Sequence, residues 1–334
     1  MWAVVNRTPY SAERSWGRDK DGVHEWIVAV KGTFDIKPDG ALALAEEQLP
    51  PLLMPEYNGE AGTSSLRYDA DLMAPKPTTD IVLNATAYAP ENRPSTEFAV
   101  SVRVGPVHKV IRVLGNRIWK QGPFGTTPSS ADPVTQIPIV YERAFGGFDG
   151  RDPDPKNQLL DTRNPVGYGV AAKSHHRVGQ PVPNFEYPHG KPEKDGPAGF
   201  GPIDSFWSPR RELNGTYDSA WEKSRSPLLP LDWNPRSLLC SPVDQLPGSP
   251  LHGGEMVELL NLTPGGLLRF QLPKVYLTFR TRFGSRTEEH RSRLATVIVE
   301  PDHPRVIMVW STSLLCPTDV DYLDQTIVDE KSFV

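Results

Sequence analysis

Between Gln121 and Gly254 no helical or strand period lasts more than a few residues, and twenty of the 35 prolines fall between Pro123 and Pro250. Proline has a fixed φ and no amide hydrogen to donate, so helix interiors and central strands exclude it. This stretch is therefore barred from building regular layers of its own. Turn signals recur through it, among them NPVGYG at 164–169, PVPN at 181–184 and PAGFGPI at 197–203. Yet Phe145, Phe148, Tyr168, Phe185, Phe200, Phe206, Trp207, Trp221 and Trp233 are spread along it, which no flexible linker or charged tail would carry. Aromatic side chains gain from burial, so the stretch is expected to be an ordered coil arm packed along sheets supplied by the rest of the chain. One helix is expected inside it, Tyr217 to Ser226, with Thr216 as its cap and Pro227 as its stop.

The flanking segments alternate as strands do. From Glu25 to Ile36, Trp26, Val28, Val30, Phe34 and Ile36 share one face and Lys31, Thr33 and Asp35 the other, the pattern of a half-buried strand. The following ALALA fits either a short partner strand or a helical turn, and Pro50 to Thr79 reads as loop with one short strand near Leu66. Asp80 to Ala89 alternates again. Thr96 to Leu114 forms a hairpin broken at Gly105-Pro106, and Asn116 to Trp119 extends the meander. Beyond the arm, Glu255 to Leu272 forms a second hairpin around a type II turn at Thr263–Gly266. Val275 to Phe283, Leu294 to Glu300 and Val306 to Trp310 are further strands, the last two joined through residues 301–304. Thr318 and Asp321 resemble a capping box that opens a short helix through Ile327. The expected fold is mainly β: an antiparallel, sandwich-like core built from an N-terminal sheet (1–120) and a C-terminal sheet (255–334). The arm (121–254) wraps it, with one or two short helices, in one unit spanning 1–334.

Net charge is −5 with acidic and basic residues interspersed, so the chain offers no broad positive field for a nucleic-acid backbone. The opening MWAVVN is too short an apolar run for a signal core, and no run approaches the roughly 18 residues that span a bilayer, which predicts a soluble, cytoplasmic protein with no membrane partner. Cys240 and Cys316 lie far apart with no metal-ligand spacing and read as reduced structural residues.

Few constellations for chemistry stand up. Asp149, Asp152, Asp154 and Asn157 could gather oxygens around a cation, but Pro153 and Pro155 interrupt them and the spacing is not that of a calcium loop, so a solvated turn and no metal are expected. His175 and His176 are adjacent, which on an extended segment turns their rings apart, and they read as a surface pair. Glu142 could act as a general acid with Asp149, Asp152 or Glu186 as its second carboxylate, as in glycoside hydrolysis, or could instead tie down backbone. No nucleophile elbow, phosphate loop or zinc-protease motif occurs, and no cofactor is expected. What the middle of the chain can do is shape a surface. In IPIVYERAFGGFDG (137–150), Gly146 and Gly147 permit a sharp bend that brings Tyr141, Arg143, Phe145 and Phe148 together. With Phe200 and Trp207 these have the aromatic and arginine content of a binding hot spot, or else they pack the arm down.

The segments NRTPY (6–10), VKGTFDI (30–36), SSLRYDADL (64–72), YERAFGG (141–147), NPVGYG (164–169), PN (183–184), PAGFGPI (197–203), TYDSAW (216–221) and LLPLDWNPR (228–236) together resemble, in order, the domain of unknown function 2169 family. That resemblance implies a non-catalytic adaptor of bacterial type VI secretion. Such a protein binds a toxin effector and helps load it onto the valine-glycine repeat (VgrG) spike and its proline-alanine-alanine-arginine (PAAR) tip. A structural component of the secretion spike itself is the further possibility. The resemblance implies no catalytic residues.

Overall fold

The computed structural model describes residues 2–123, 125–316 and 320–331. Its spine is the strand His24–Ile36, in which Trp26, Val28, Val30, Phe34 and Ile36 enter the main core as their alternation predicts. The opposite face is buried too, contrary to the half-buried expectation. Lys31 and Thr33 are almost fully covered because later segments fold over them. The Lys31 ammonium meets the Asp71 carboxylate at 2.9 Å, and the Gln48 side-chain amide pairs with both the N–H and the C=O of Thr33, each at 2.9 Å. Gln48 thus serves Thr33 as a strand neighbour would, and no backbone group there is left unpaired.

Three sheets carry the fold. In the six-stranded sheet the order is Ser11–Arg18, His24–Ile36, Arg305–Cys316, Arg293–Glu300 and Asp80–Leu83, with Leu42–Leu44 pairing beside Ile36. The five-stranded sheet joins Phe185–Glu186, Val107–Leu114, Glu97–Val104, Met256–Leu260 and Leu267–Gln271, all antiparallel. The four-stranded sheet runs Ala3–Asn6, Leu323–Glu330, Leu277–Phe283 and Arg286–Arg291. The class is mainly β and sandwich-like, but the two ends of the chain share every large sheet rather than forming one each. Within these three sheets two pairings are parallel, Ala3–Asn6 with Leu323–Glu330 and Asp80–Leu83 with Arg293–Glu300. One hydrophobic cluster draws on all three sheets, from Val28, Val30 and Met308 through Val100, Ile111 and Leu259 to Phe279 and Val328.

Several local expectations change. Thr318 lies outside the described residues, and the segment expected as helix through Ile327 is instead a 3-10 turn at Val320–Tyr322 followed by the strand Leu323–Glu330. Asp80–Ala89 divides at Asn84 into two strands belonging to different sheets. Arg117–Gly122 does not extend the 97–114 hairpin but joins Gly125–Pro128 and Pro181–Val182 in a small sheet. At the 263–266 turn the positive φ falls on Gly266, at +79°, one residue later than a type II turn requires.

Most of the arm is coil with bends, two-residue strands and short 3-10 turns, and it carries two short α-helices, Pro192–Asp195 and, where one is expected, Ser219–Ser224. The second helix is capped by Asp218, whose side chain accepts from the Ala220 and Trp221 amides, and not by Thr216, whose hydroxyl is turned to Asp232. The arm also covers an edge of the six-stranded sheet. Along Asp80–Leu83, Leu83 N–H donates to the Phe200 carbonyl at 3.1 Å, while the Ser241 hydroxyl and Gln245 amide both donate to the Ile81 carbonyl at 2.8 Å. An otherwise open strand edge is thereby closed within the same chain.

Candidate functional site

The YERAFGG segment is where the arm is fastened. Tyr141–Arg143 forms one 3-10 turn, and the Asn164 side chain donates to the Tyr141 carbonyl at 2.8 Å and the Phe145 carbonyl at 3.0 Å. The glycine pair is required by that closeness. Gly147 has φ +97° and donates to the Asn164 carbonyl, and a Cβ on Gly146 would sit 2.1 Å from that same oxygen. Both oxygens of the Glu142 carboxylate are engaged by Ser65, one accepting from its amide and the other from its hydroxyl, each at 2.7 Å. Arg143 donates through its guanidinium to Asn184 at 3.3 Å and accepts the Asn184 amide on its own carbonyl. Segments distant in sequence are thus tied to a single turn by polar bonds, in keeping with the backbone-fastening alternative for Glu142.

The other carboxylates weighed as its partner are committed elsewhere. Glu186 pairs with Arg117 at 2.9 Å, and Asp152 pairs with Lys173. Asp149 is not part of a solvated turn. It is buried, takes His176 Nδ1 at 2.6 Å, and accepts the Ala172 amide at 2.9 Å. Burial alone would raise its carboxyl, but those hydrogen bonds outweigh it and hold the group below the usual carboxylate range. His175 and His176 sit in a 3-10 turn with their rings 4.5 Å apart, so His176 is a fastening residue rather than half of a surface pair. Asp154 caps its own turn by accepting the Lys156 amide. No group of three potential metal ligands occurs among the described residues.

The aromatics proposed as a hot spot point mostly inward. Tyr141, Phe145, Phe200 and Trp207 are buried, and of the eight residues singled out only Phe148 presents a large exposed face, at 59%. Tyr141 packs edge-on against Trp207 with centroids 5.7 Å apart, and its hydroxyl, held well above the usual range by burial, donates to the Gly201 carbonyl. Burial has a physical cause in the arm's own glycines: a Cβ on Gly199 would lie 2.7 Å from the Tyr141 ring, so the PAGFGPI backbone lies directly on it. Arg143 faces a separate polar cavity of about 670 Å³ beside Arg117 and Tyr168.

Above Tyr141 the arm leaves an open groove of about 390 Å³, within the range of small binding sites. Tyr141, Ile203, Leu213, Leu239 and Leu246 give it an apolar wall, and Val243, 61% exposed, stands at its mouth. Arg163, Arg236, Asp195 and Asp244 supply the charges around it. Asp244 reaches inward to the buried Lys109 ammonium at 2.8 Å, which also meets Gln245 at 2.9 Å and lies 5.7 Å from the Phe200 ring centroid. Burial pushes Lys109 down to about 8 despite the opposing pull of Asp244. Nearby, Arg210 is buried against Asp69 at 2.6 Å and donates to the Ile203 and Ser237 carbonyls, bracing two sides of the groove. Sequence reasoning did not single out Asn164, Arg210, Lys109, Asp244 or Val243. Asn164 and Arg210 sit beside proline or glycine in turn-rich stretches, a usable signal for backbone-fastening side chains.

No helix of the described residues is long and apolar enough to cross a membrane. No curated protein and no solved structure matches the chain. A family profile described as "Uncharacterized protein conserved in bacteria (DUF2169)" matches residues 21–311, a span that encloses the spine strand, the whole arm and the groove. The chain belongs to the DUF2169 family.

Proposed function

We propose that this protein is a non-catalytic cytoplasmic adaptor that grips a type VI secretion toxin through the arm groove and helps load it onto the VgrG spike and its PAAR tip. The observation that carries the reading is the groove itself: an open apolar hollow with Val243 exposed at its mouth, on an arm pinned at many points. A rigid hollow receives a partner's side chain without the ordering cost that a flexible loop would incur. The motif carboxylates support the same reading, because Glu142, Asp149 and Glu186 each hold a structural bond and not one another. The type of partner comes from the family resemblance, and the place of contact from the groove.

Co-expression of the tagged chain with a candidate toxin and spike protein, followed by affinity capture and size-exclusion chromatography, tests the proposal. A co-eluting complex, with toxin solubility falling when this chain is omitted, is the expected result. Absence of both the complex and the solubility effect would remove the adaptor reading.

A further inference from the structure

The six-stranded and four-stranded sheets border an open cavity of about 800 Å³. Its floor includes the buried apolar side chains Leu277, Leu294 and Trp310. Its rim carries Arg291, Arg293 and Lys331, and among the described residues no carboxylate lines it. Lys331 has Glu289 at 3.5 Å, whereas among the described residues neither Arg291 nor Arg293 has an ion-pair partner. In a chain of net charge −5, three cations around an apolar hollow make a local reversal of sign, and low-dielectric walls concentrate that field. Arg291 ends one strand and Arg293 begins the next, with Ser292 alone between the two cations. Side chains two apart on extended chain repeat at about 6.6 Å, the same repeat an extended peptide offers.

We infer that this cavity is a second docking site, beyond the arm groove, for an extended segment of a partner polypeptide bearing two carboxylates one residue apart with an apolar side chain between them. The carboxylates meet Arg291 and Arg293. The intervening side chain, which points the other way on extended backbone, enters between the sheets toward Leu294 and Trp310. Opposite charge steers the encounter and the apolar contact holds the segment, a division that makes binding depend on ionic strength.

Fluorescence anisotropy of the full chain with a fluorescein-labelled Gly-Ser-Asp-Phe-Asp-Leu-Gly peptide tests this. Saturable binding is expected, weakened at least tenfold by the double change Arg291→Glu and Arg293→Glu and weakened again by added salt. The peptide with lysines in place of its aspartates should not bind. Arg291 and Arg293 are exposed, so the double variant should melt as the parent does. A Val243→Asp variant should bind the peptide unchanged, which keeps this site separate from the groove. Equal binding of the two peptides, indifference to the charge reversal, or no saturable binding would overturn the inference. Saturable binding of dodecanoate by titration calorimetry, without any peptide binding, would overturn it as well, assigning the cavity to an acyl carboxylate.

Discussion

If Glu142 is a fastening residue, its removal should be felt as stability shared with Ser65. The carboxylate accepts two bonds at 2.7 Å from the amide and hydroxyl of a residue that is only 1% exposed. Hydrogen bonds to a charged group contribute about 1.5–3 kcal/mol each, against roughly 0.5–1.5 for neutral ones. Glu142→Gln keeps the shape but only one acceptor oxygen, so the Ser65 amide bond becomes neutral and the hydroxyl bond survives only by reversing to accept from the new NH2, which should cost about 2 kcal/mol. Ser65→Ala deletes the hydroxyl bond and should cost about 1–2 kcal/mol. In the double variant the hydroxyl bond cannot be lost twice, so the combined effect should fall short of the sum by about 1 kcal/mol. Urea unfolding of the four proteins, followed by tryptophan fluorescence, reads this coupling. Additive effects within about 0.3 kcal/mol, or Glu142→Gln unfolding at the parent's midpoint, would refute the fastening role. Loss of a hydrolytic activity in Glu142→Gln at unchanged stability would instead make Glu142 an acid catalyst.

Trp207→Ala should destabilise by about 3–5 kcal/mol, because it empties a buried site against Tyr141; a urea midpoint near the parent's would show that the ring is not packed as described. His290 bridges the Thr281 and Thr312 hydroxyls at 2.8 Å each, and burial pushes it down to about 4. The unfolded chain, with histidine near 6.5, therefore takes up this proton first as pH falls, so stability held above about pH 6.5 drains away toward pH 4. The loss between pH 7 and pH 5 should be about 2 kcal/mol by urea titration. His290→Gln should flatten that slope, and an unchanged slope would contradict the assignment.

The sequence was most legible where strands pair with near neighbours. The hairpin Glu97–Val104 with Val107–Leu114 alternates cleanly and forms as its pattern says. The spine strand was also legible, yet its second face was not. Lys31 and Thr33 read as solvent-facing, while the groups that cover them, Asp71 and Gln48, lie 40 and 15 residues away. Leu323–Glu330 is a strand where the capping-box spacing of Thr318 and Asp321 predicts a helix, and its buried residues, Leu323, Thr326 and Val328, begin at a helix-like spacing of three that alternation would not give. A bulge causes this: the pairing steps from Arg282–Gln325 to Phe283–Leu323 and leaves Asp324 over. The mixing of chain ends in each sheet was hidden because alternation specifies a face but never a partner. At the site, the aromatic content near residue 141 was evident, but its direction was decided by the close lie of Gly199 and by Asn164, which composition does not reveal.

The most direct test of the adaptor account is capture of the co-expressed toxin by the parent chain and by Val243→Asp. Val243 stands exposed at the groove mouth, so the change should leave stability within about 0.5 kcal/mol. A carboxylate placed there should nonetheless weaken toxin capture at least about tenfold, as for a residue central to an apolar contact. Capture by Val243→Asp equal to that by the parent, at equal melting temperature, would contradict the claim that the arm groove is where the partner is held.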